Sequence, residues 1–157
     1  MAITQQRLLE LAGAELDELY RHSPAGPIPR GVASGQALAG IGSARLSRAA
    51  AAVVSVGWRG KVFDAGGGRL ANRISPLAFE AVRADVYPGH SLFDGGEAIV
   101  IDYSRTSLLA RSVRDELREV APGLYLGLAY WRGRKVLRFS LRFVPELAAR
   151  STVPTRG

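Results

Sequence analysis

The chain contains no cysteine, and this absence removes several kinds of site at once. Disulfides, thiolate zinc sites, iron–sulfur clusters and cysteine nucleophiles all need a side chain that the sequence does not have. The chain has only two histidines, so a metal site with three histidine ligands is excluded as well. We therefore expect site chemistry from oxygen, guanidinium and aromatic groups, without a metal or a cofactor.

Long hydrophobic runs are also missing. No stretch approaches the roughly 18 consecutive apolar residues of a membrane span, and Arg7 and Glu10 interrupt the N-terminal region where a signal peptide would be apolar. The 157 residues are 47% hydrophobic and 22% charged, which is enough apolar material for one core. We expect a soluble, cytoplasmic protein without membrane insertion, with one domain over residues 1–145 and a flexible tail over residues 146–157.

Lysine is scarce although the net charge is +7. Lys61 and Lys135 are the two lysines, so the positive charge is almost entirely arginine, and it is scattered along the chain. A protein that reads nucleic acid is expected to show a basic run and a recognisable module. We therefore predict no specific nucleic-acid binding. The sequence leaves the oligomeric state open, with a homodimer as one option.

The spacing of apolar residues divides the chain into helices and strands. Spacings of three and four predict helices over Thr4–His22, Ser43–Val56 and Leu109–Val120. Hairpin-linked strands with helices outside them indicate a mainly β or α+β fold, as a bent antiparallel sheet or barrel. The predicted strands are Val32–Ile41, Trp58–Asp64, Arg69–Ile74, Phe79–Tyr87, Glu97–Ser104, Leu124–Trp131 and Val136–Phe143.

Both faces of the predicted strand Leu124–Trp131 are apolar. One face carries three leucines and Tyr130, and the other carries aromatic residues around Gly127 and Ala129. We expect the leucine face to pack under a helix and the other face to line a barrel interior. Because Gly127 and Ala129 are small, this interior is expected to leave space for a ligand.

A Gly-Trp pair, Gly57 and Trp58, stands where a strand is predicted to begin. In this respect the chain resembles calycin and lipocalin-like barrels, in which a Gly/Trp motif opens the first barrel strand. With relaxed spacing, these residues and Gly60 also resemble the GxWxG motif of small uncharacterised bacterial proteins. The lipocalin resemblance implies a calycin-like barrel for a hydrophobic ligand, in which Arg138 or Arg142 of the last strand packs over Trp58.

Asp102 is the most informative carboxylate, because it follows four apolar residues within a predicted strand. A buried ionised carboxylate needs a compensating partner or a polar cavity. Strand alternation offers Arg83 as a partner, and Tyr103 is the next candidate. Three interpretations stay open for Asp102, namely an ion pair with arginine, a cap at the strand end, or the acid or base of a site in the barrel interior.

Two further segments carry candidate chemistry. Gly89-His90-Ser91 partly matches the nucleophile elbow of hydrolases, but turn residues follow where that motif needs a helix. We therefore expect an ordinary loop in which His90 lies at a cavity mouth as an acid or base. Residues 114–116 are predicted to be the solvated face of the third helix, with Arg111 and Asp115 at ion-pair spacing.

These observations predict a barrel that binds a small, mostly apolar molecule. We expect it to act on a polyketide-, terpenoid- or lipid-like substrate as a cofactor-independent isomerase, cyclase or hydratase. The alternative is a non-catalytic carrier or sensor of a hydrophobic ligand. The predicted catalytic residues are Asp102, Tyr103 and His90. The predicted ligand-binding residues are Trp58, Arg83, Tyr87, Tyr125, Tyr130 and Arg142.

Overall fold

The computed structural model describes residues 2–38, 58–63, 69–74, 79–105 and 111–143, with side chains for 2–38, 84–105 and 111–143. This part of the chain contains two helices and eight strands. The helices are α1 (Gln5–Glu10) and α2 (Gly13–His22). The strands are β1 (Gly31–Ala37), β2 (Trp58–Phe63), β3 (Arg69–Ile74), β4 (Phe79–His90), β5 (Glu97–Asp102), β6 (Val113–Ala121), β7 (Leu124–Trp131) and β8 (Arg134–Phe143).

Every strand pairs antiparallel with the next one, and β1 also pairs with β8, so the eight strands form a closed barrel. At the seam between the first and last strands, Ala33 lies opposite Phe143 and Ala37 lies opposite Phe139. Gly123 and Gly133 have φ values of 71° and 76° in the turns that flank β7, a conformation that glycine adopts without steric cost. The antiparallel, mainly β fold expected from the sequence is therefore confirmed.

The barrel interior is packed by large residues of one strand against small residues of another. β1 presents Ala33 to the interior, and the paired strand β8 presents Phe139, Leu141 and Phe143. The ring of Phe139 also occupies the space beside Gly127, where an added Cβ would clash with it. The expectation that Gly127 leaves space for a ligand is therefore wrong at this position, because Phe139 fills it.

The two helices cover one side of the barrel from outside. Leu8 of α1 and Leu16 and Tyr20 of α2 are fully buried against the outward face of β7. Full burial of each leucine stabilises the fold by about 1.5–3 kcal/mol. The two apolar faces of β7 are thus explained as predicted, with one face under the helices and the other in the interior. The β7 residues under the helices are Leu124, Leu126, Leu128 and Tyr130.

The predicted single helix over Thr4–His22 is two helices. Thr4 caps α1, because its side-chain oxygen accepts a hydrogen bond from the backbone N–H of Arg7 at 3.1 Å. The chain then becomes extended at Leu11, and α2 begins anew after Ala12. The Ala12 N–H donates to the Glu15 carboxylate at 2.8 Å, so a local side chain stabilises the second start.

The largest correction concerns the predicted helix over Leu109–Val120, most of which is strand β6. Leu117 faces the interior, while the next outward-facing positions, Glu116 and Arg118, are buried between the barrel and α2. A strand is recognised from the alternation of apolar and polar residues, and charged residues at its buried positions interrupt that alternation. The remaining spacing of apolar residues then matches that of an amphipathic helix. The prediction that residues 114–116 form a solvated surface is also wrong, because Asp115 and Glu116 are 5% and 0% exposed.

Some predictions fall on other parts of the chain. The second helix, predicted over Ser43–Val56, and the tail over 146–157 lie outside the described residues. Among the described residues, neither helix has the length and apolar character needed to cross a membrane.

Candidate functional site

One end of the barrel is covered by the connector between α2 and β1. Ile28 packs against the interior cluster, and the Tyr125 hydroxyl donates to the Pro27 carbonyl oxygen at 2.7 Å. The N–H of Glu119 donates to the Pro24 carbonyl oxygen at 3.0 Å. Burial, together with the charge of Glu119, raises the pKa of the Tyr125 phenol, so this hydroxyl remains a donor. We call this the connector end.

The opposite end, where β5 ends and β6 begins, carries a buried polar pair. The Tyr103 hydroxyl donates to Oδ2 of Asp115 at 3.2 Å, and the two residues are 2% and 5% exposed. The backbone positions opposite Asp115 are Ile101 on β5 and Ala129 on β7. We call this the far end, and we call Tyr103 and Asp115 the interior pair.

Strand alternation puts the interior pair in place. In β5, Ile99 and Ile101 face the interior, and the next residue on that side is Tyr103. In β6, Asp115 falls between Val113 and Leu117, which both contact the interior cluster. Asp115 is not among the site residues predicted from the sequence, because the apolar spacing of residues 109–120 is typical of a helix. A period of two over residues 113–117 was the signal that would have found it.

Asp102 lies on the outer face of the barrel and not in the interior. Its carboxylate accepts hydrogen bonds from the Tyr87 hydroxyl at 3.0 Å and from the Ser104 N–H at 2.8 Å. Partial burial raises the pKa of Asp102, but hydrogen bonds from Ser104 and Tyr87 and the charge of Arg114 outweigh it and hold the pKa below its ordinary value. The interior placement is therefore corrected, and Asp102 acts as the cap at the strand end.

The partner predicted for Asp102 was Arg83. The pairing of β4 with β5 that this prediction required is present, with Asp85 opposite Asp102. Arg83 itself lies in β4 opposite Ala71, and its side chain is outside the described set. Tyr87 is 38% exposed on the outer face, so it does not line the interior as the predicted pocket required.

His90 ends β4 near the connector end, away from the interior pair. The ring is exposed, with Nδ1 at 3.2 Å from the Gly95 carbonyl oxygen. The His90 carbonyl oxygen accepts a hydrogen bond from Arg114 at 2.5 Å. The structure therefore does not bring the three predicted catalytic residues together, since Tyr103 alone lies in the interior.

The remaining predicted ligand-binding residues are also dispersed. Tyr130 lies under the helices, where burial raises the pKa of its phenol and its hydroxyl has no hydrogen-bond partner among the described residues. Arg142 is exposed near the connector end. Trp58 begins β2 opposite Ile74, and its side chain lies outside the described set, so its stacking on an arginine stays a prediction. Arg138, one of the proposed stacking partners, makes two hydrogen bonds of 2.8 Å to Asp17 of α2.

A buried polar cluster fastens α2 and the loop of residues 91–96 to the barrel. Glu116 accepts hydrogen bonds from Ser91 at 2.5 Å, from the Leu92 N–H at 2.8 Å and from Arg114 at 3.1 Å. Ser91 is 4% exposed, so it is not an accessible nucleophile. This cluster is structural, because its polar atoms satisfy one another across elements that are distant in the sequence.

Arg118 makes a second connection of the same kind. It donates to both carboxylate oxygens of Asp94, at 2.7 and 2.8 Å, and its guanidinium lies 4.5 Å from the centre of the Tyr20 ring. The hydrogen bonds from Arg118 are the main cause that lowers the pKa of Asp94. Within the described segments, no group of three or more histidines and acidic residues is placed to hold a metal ion.

Comparisons with known proteins bear on the fold alone. No family model and no curated protein matches the chain. Among solved structures, the chain is similar to the crystal structure of a protein from Thermomonospora curvata, with a TM-score of 0.62 and 19% sequence identity. The similarity covers 90% of this chain and 98% of the other, so the likeness extends over nearly the whole fold.

Proposed function

We propose that the far end of the barrel interior binds a small, mostly apolar molecule, and that the interior pair orients it. The observation that carries this proposal is the buried hydrogen bond between Tyr103 and Asp115, in which Tyr103 belongs to the interior cluster. A hydroxyl and a carboxylate that lie together inside a barrel supply a donor and an acceptor that can fix the orientation of a bound molecule. Barrels of about eight strands are wide enough to hold one small ligand.

The packing limits where the ligand lies. Ile28 covers the connector end, and the Phe139 ring fills the space beside Gly127 in the middle of the barrel. The proposed ligand therefore lies beside Tyr103 and Asp115 and does not extend along the whole barrel. Its apolar body contacts the interior cluster, and one polar group replaces or joins the hydrogen bond of the pair.

The interior pair has the groups that acid–base chemistry requires. The Asp115 carboxylate accepts a proton, and the Tyr103 hydroxyl donates one to an oxygen of the substrate. These roles suit an isomerase, cyclase or hydratase that works without a cofactor on a polyketide-, terpenoid- or lipid-like substrate. The acid–base role predicted for Asp102 is thereby transferred to Asp115, while Tyr103 keeps its predicted place.

Binding is tested by native mass spectrometry and organic extraction of the purified protein. We expect a co-purified apolar compound in the wild type and a much lower occupancy in Asp115→Asn and Tyr103→Phe, both of which nearly keep the side-chain shape. Asp102→Asn is the matched control, because it makes the same change on the outer face. Equal occupancy in all variants, or no ligand in any of them, would contradict the proposed site.

Turnover is tested with the extracted compound, or with its close analogues, by product analysis after incubation. If the protein is an enzyme, Asp115→Asn that still binds should lose conversion, while Asp102→Asn should retain it. Recovery of the compound unchanged from the wild type would reject the enzyme and favour the hydrophobic-ligand carrier.

A further inference from the structure

The hairpin between β7 and β8 ends in an exposed tip that is both aromatic and basic. We call residues 131–134 the hairpin tip. Trp131 is 44% exposed, and the Arg132 guanidinium lies 4.9 Å from the centre of its ring. Arg132 and Arg134 are exposed as well. The tip belongs to the far end, because Trp131 lies opposite Val113 at the beginning of β6.

The backbone of the tip is unfavourable for the residue that occupies it. Arg132 has φ 49° and Gly133 has φ 76°, as in a two-residue turn that requires the left-handed region at both positions. Asparagine, aspartate and glycine suit the first position, whereas a long side chain is strained there. Arg132 is the single non-glycine residue with positive φ in the described chain. The strain has no evident benefit for packing, which points to a role in binding.

Further arginines surround the tip. The Arg132 N–H donates to the Ser112 carbonyl oxygen at 2.9 Å, which brings the exposed Arg111 next to the tip. Arg105 is exposed just after the end of β5. With respect to residues that the structure describes, Arg105, Arg111 and Arg134 form no ion pair. The nearest acid on β5, Asp102, is already bound to Tyr87 and Ser104.

We propose that the far end docks on an anionic lipid surface, with Trp131 at the interface and the surrounding arginines on the phosphates. Tryptophan favours the boundary between headgroups and acyl chains, because its ring has an apolar body and a polar N–H. Guanidinium groups bind phosphate oxygens in pairs. An interfacial tryptophan or a basic patch alone binds a membrane weakly, and stable peripheral binding generally combines two such contributions. This docking is independent of the ligand proposed for the interior.

The favoured partner is a lipid surface and not a single-stranded nucleic acid. A nucleic-acid platform needs free aromatic faces for base stacking, whereas Arg132 already covers one face of Trp131.

The test measures co-sedimentation with vesicles of phosphatidylglycerol and phosphatidylcholine at about 0.1 M salt. Each arginine at an anionic surface contributes roughly a fivefold change in partitioning. We therefore expect Arg132→Asn/Arg134→Gln to weaken binding roughly 25-fold. Asparagine at position 132 suits the turn, so this variant keeps its fold. We expect Trp131→Ala to weaken binding as well, although it leaves the net charge unchanged, and we expect little binding to phosphatidylcholine alone.

The matched control is Arg30→Gln/Arg142→Gln, which removes two exposed arginines near the connector end and lowers the net charge equally. It should bind the vesicles nearly as well as the wild type. Equal losses in the two double variants, or no binding of the wild type to anionic vesicles, would overturn the proposal. Tighter binding to a short single-stranded RNA than to the vesicles at the same salt, lost in the tip variant, would replace the lipid surface with nucleic acid.

Discussion

The two ends of the barrel differ in what their polar groups contact and in the strain of their backbone. At the connector end, a tyrosine hydroxyl, backbone groups and the Arg118–Asp94 pair all have close partners. At the far end, the exposed Arg132 has a strained backbone, and Tyr103 and Asp115 form a hydrogen bond in the barrel interior. Contacts between distant elements fasten the connector end, whereas the far end combines an exposed aromatic and basic tip with a polar pair in the interior. The proposed functions therefore lie at the far end.

The largest expected effect comes from removing a carboxylate at each end. Asp94→Ala should lower the free energy of unfolding by about 3 kcal/mol, because it leaves the 2% exposed Arg118 without its counter-charge. Asp102→Ala at the far end should cost about 1 kcal/mol, the usual net value of an intramolecular hydrogen bond. Urea denaturation of both variants measures the difference. Equal losses of unfolding free energy in the two variants would contradict the expected difference between the ends.

A second comparison uses glycines with positive φ at the two ends. Gly26 lies in the connector with φ 72°, and an added Cβ would be 2.6 Å from Cβ of Glu119, so Gly26→Ala should cost about 2–3 kcal/mol. Gly133 in the hairpin tip has φ 76° but open space around it, so Gly133→Ala should cost only the backbone strain of about 1 kcal/mol. Thermal melting of the two variants measures the difference. A lower melting temperature for Gly133→Ala than for Gly26→Ala would contradict the comparison between the two ends.

Acid should weaken the connector end through Asp94. Hydrogen bonds from Arg118 lower the pKa of Asp94 below its ordinary value of 3.8 in the folded protein. A carboxyl group with a lowered pKa stabilises the fold above its unfolded pKa, and this contribution is lost as the pH falls through the folded value. We expect unfolding stability to drop below about pH 4 and Asp94→Asn to flatten part of that drop. An Asp94→Asn curve parallel to the wild type would contradict this assignment.

The smallest expected effect is a gain in stability. Arg132→Asn replaces a strained residue by one that suits the turn, so it should raise the free energy of unfolding by about 0.5–1 kcal/mol. Arg134→Asn, in the first residue of β8, is the control and should bring no gain. If Arg132→Asn left the free energy of unfolding unchanged or lowered it, the positive φ of Arg132 would not destabilise the fold.

The part of the fold that the sequence predicted well is the part in which burial is apolar. β7 and β8 were recognised because leucine and aromatic residues occupy the strand faces and a glycine turn separates them. β6 was missed because Asp115, Glu116 and Arg118 are buried through partners on β5, α2 and the loop of residues 91–96. Those partners are distant in the sequence, so a local pattern assigns the charged residues to a surface.

The candidate site shows the same limit on a smaller scale. Tyr103 lies in the interior, where a site residue is expected, whereas the prediction that its neighbour Asp102 also faces the interior is wrong. Because Ile99 and Ile101 face the interior, strand alternation places Tyr103 inside the barrel and Asp102 outside it. The sequence predicts that both faces of this strand are buried, so the pattern alone does not show which of the two residues faces the interior. Asp115 became identifiable once β6 was seen as a strand, because only then does it face Tyr103.

The seam between β1 and β8 has a consequence for how the chain is made. The Gln5 side chain donates to the Ser140 hydroxyl at 3.1 Å, and these residues are 135 positions apart. During synthesis, β1 leaves the ribosome before β8 and has one edge without a partner until β8 follows. The nascent protein must therefore keep an unpaired strand edge away from other chains while the residues between Ala37 and Arg134 are made. A ribosome that stalled before β8 would release a sheet with two open edges, so the arrival of β8 decides between folding and aggregation.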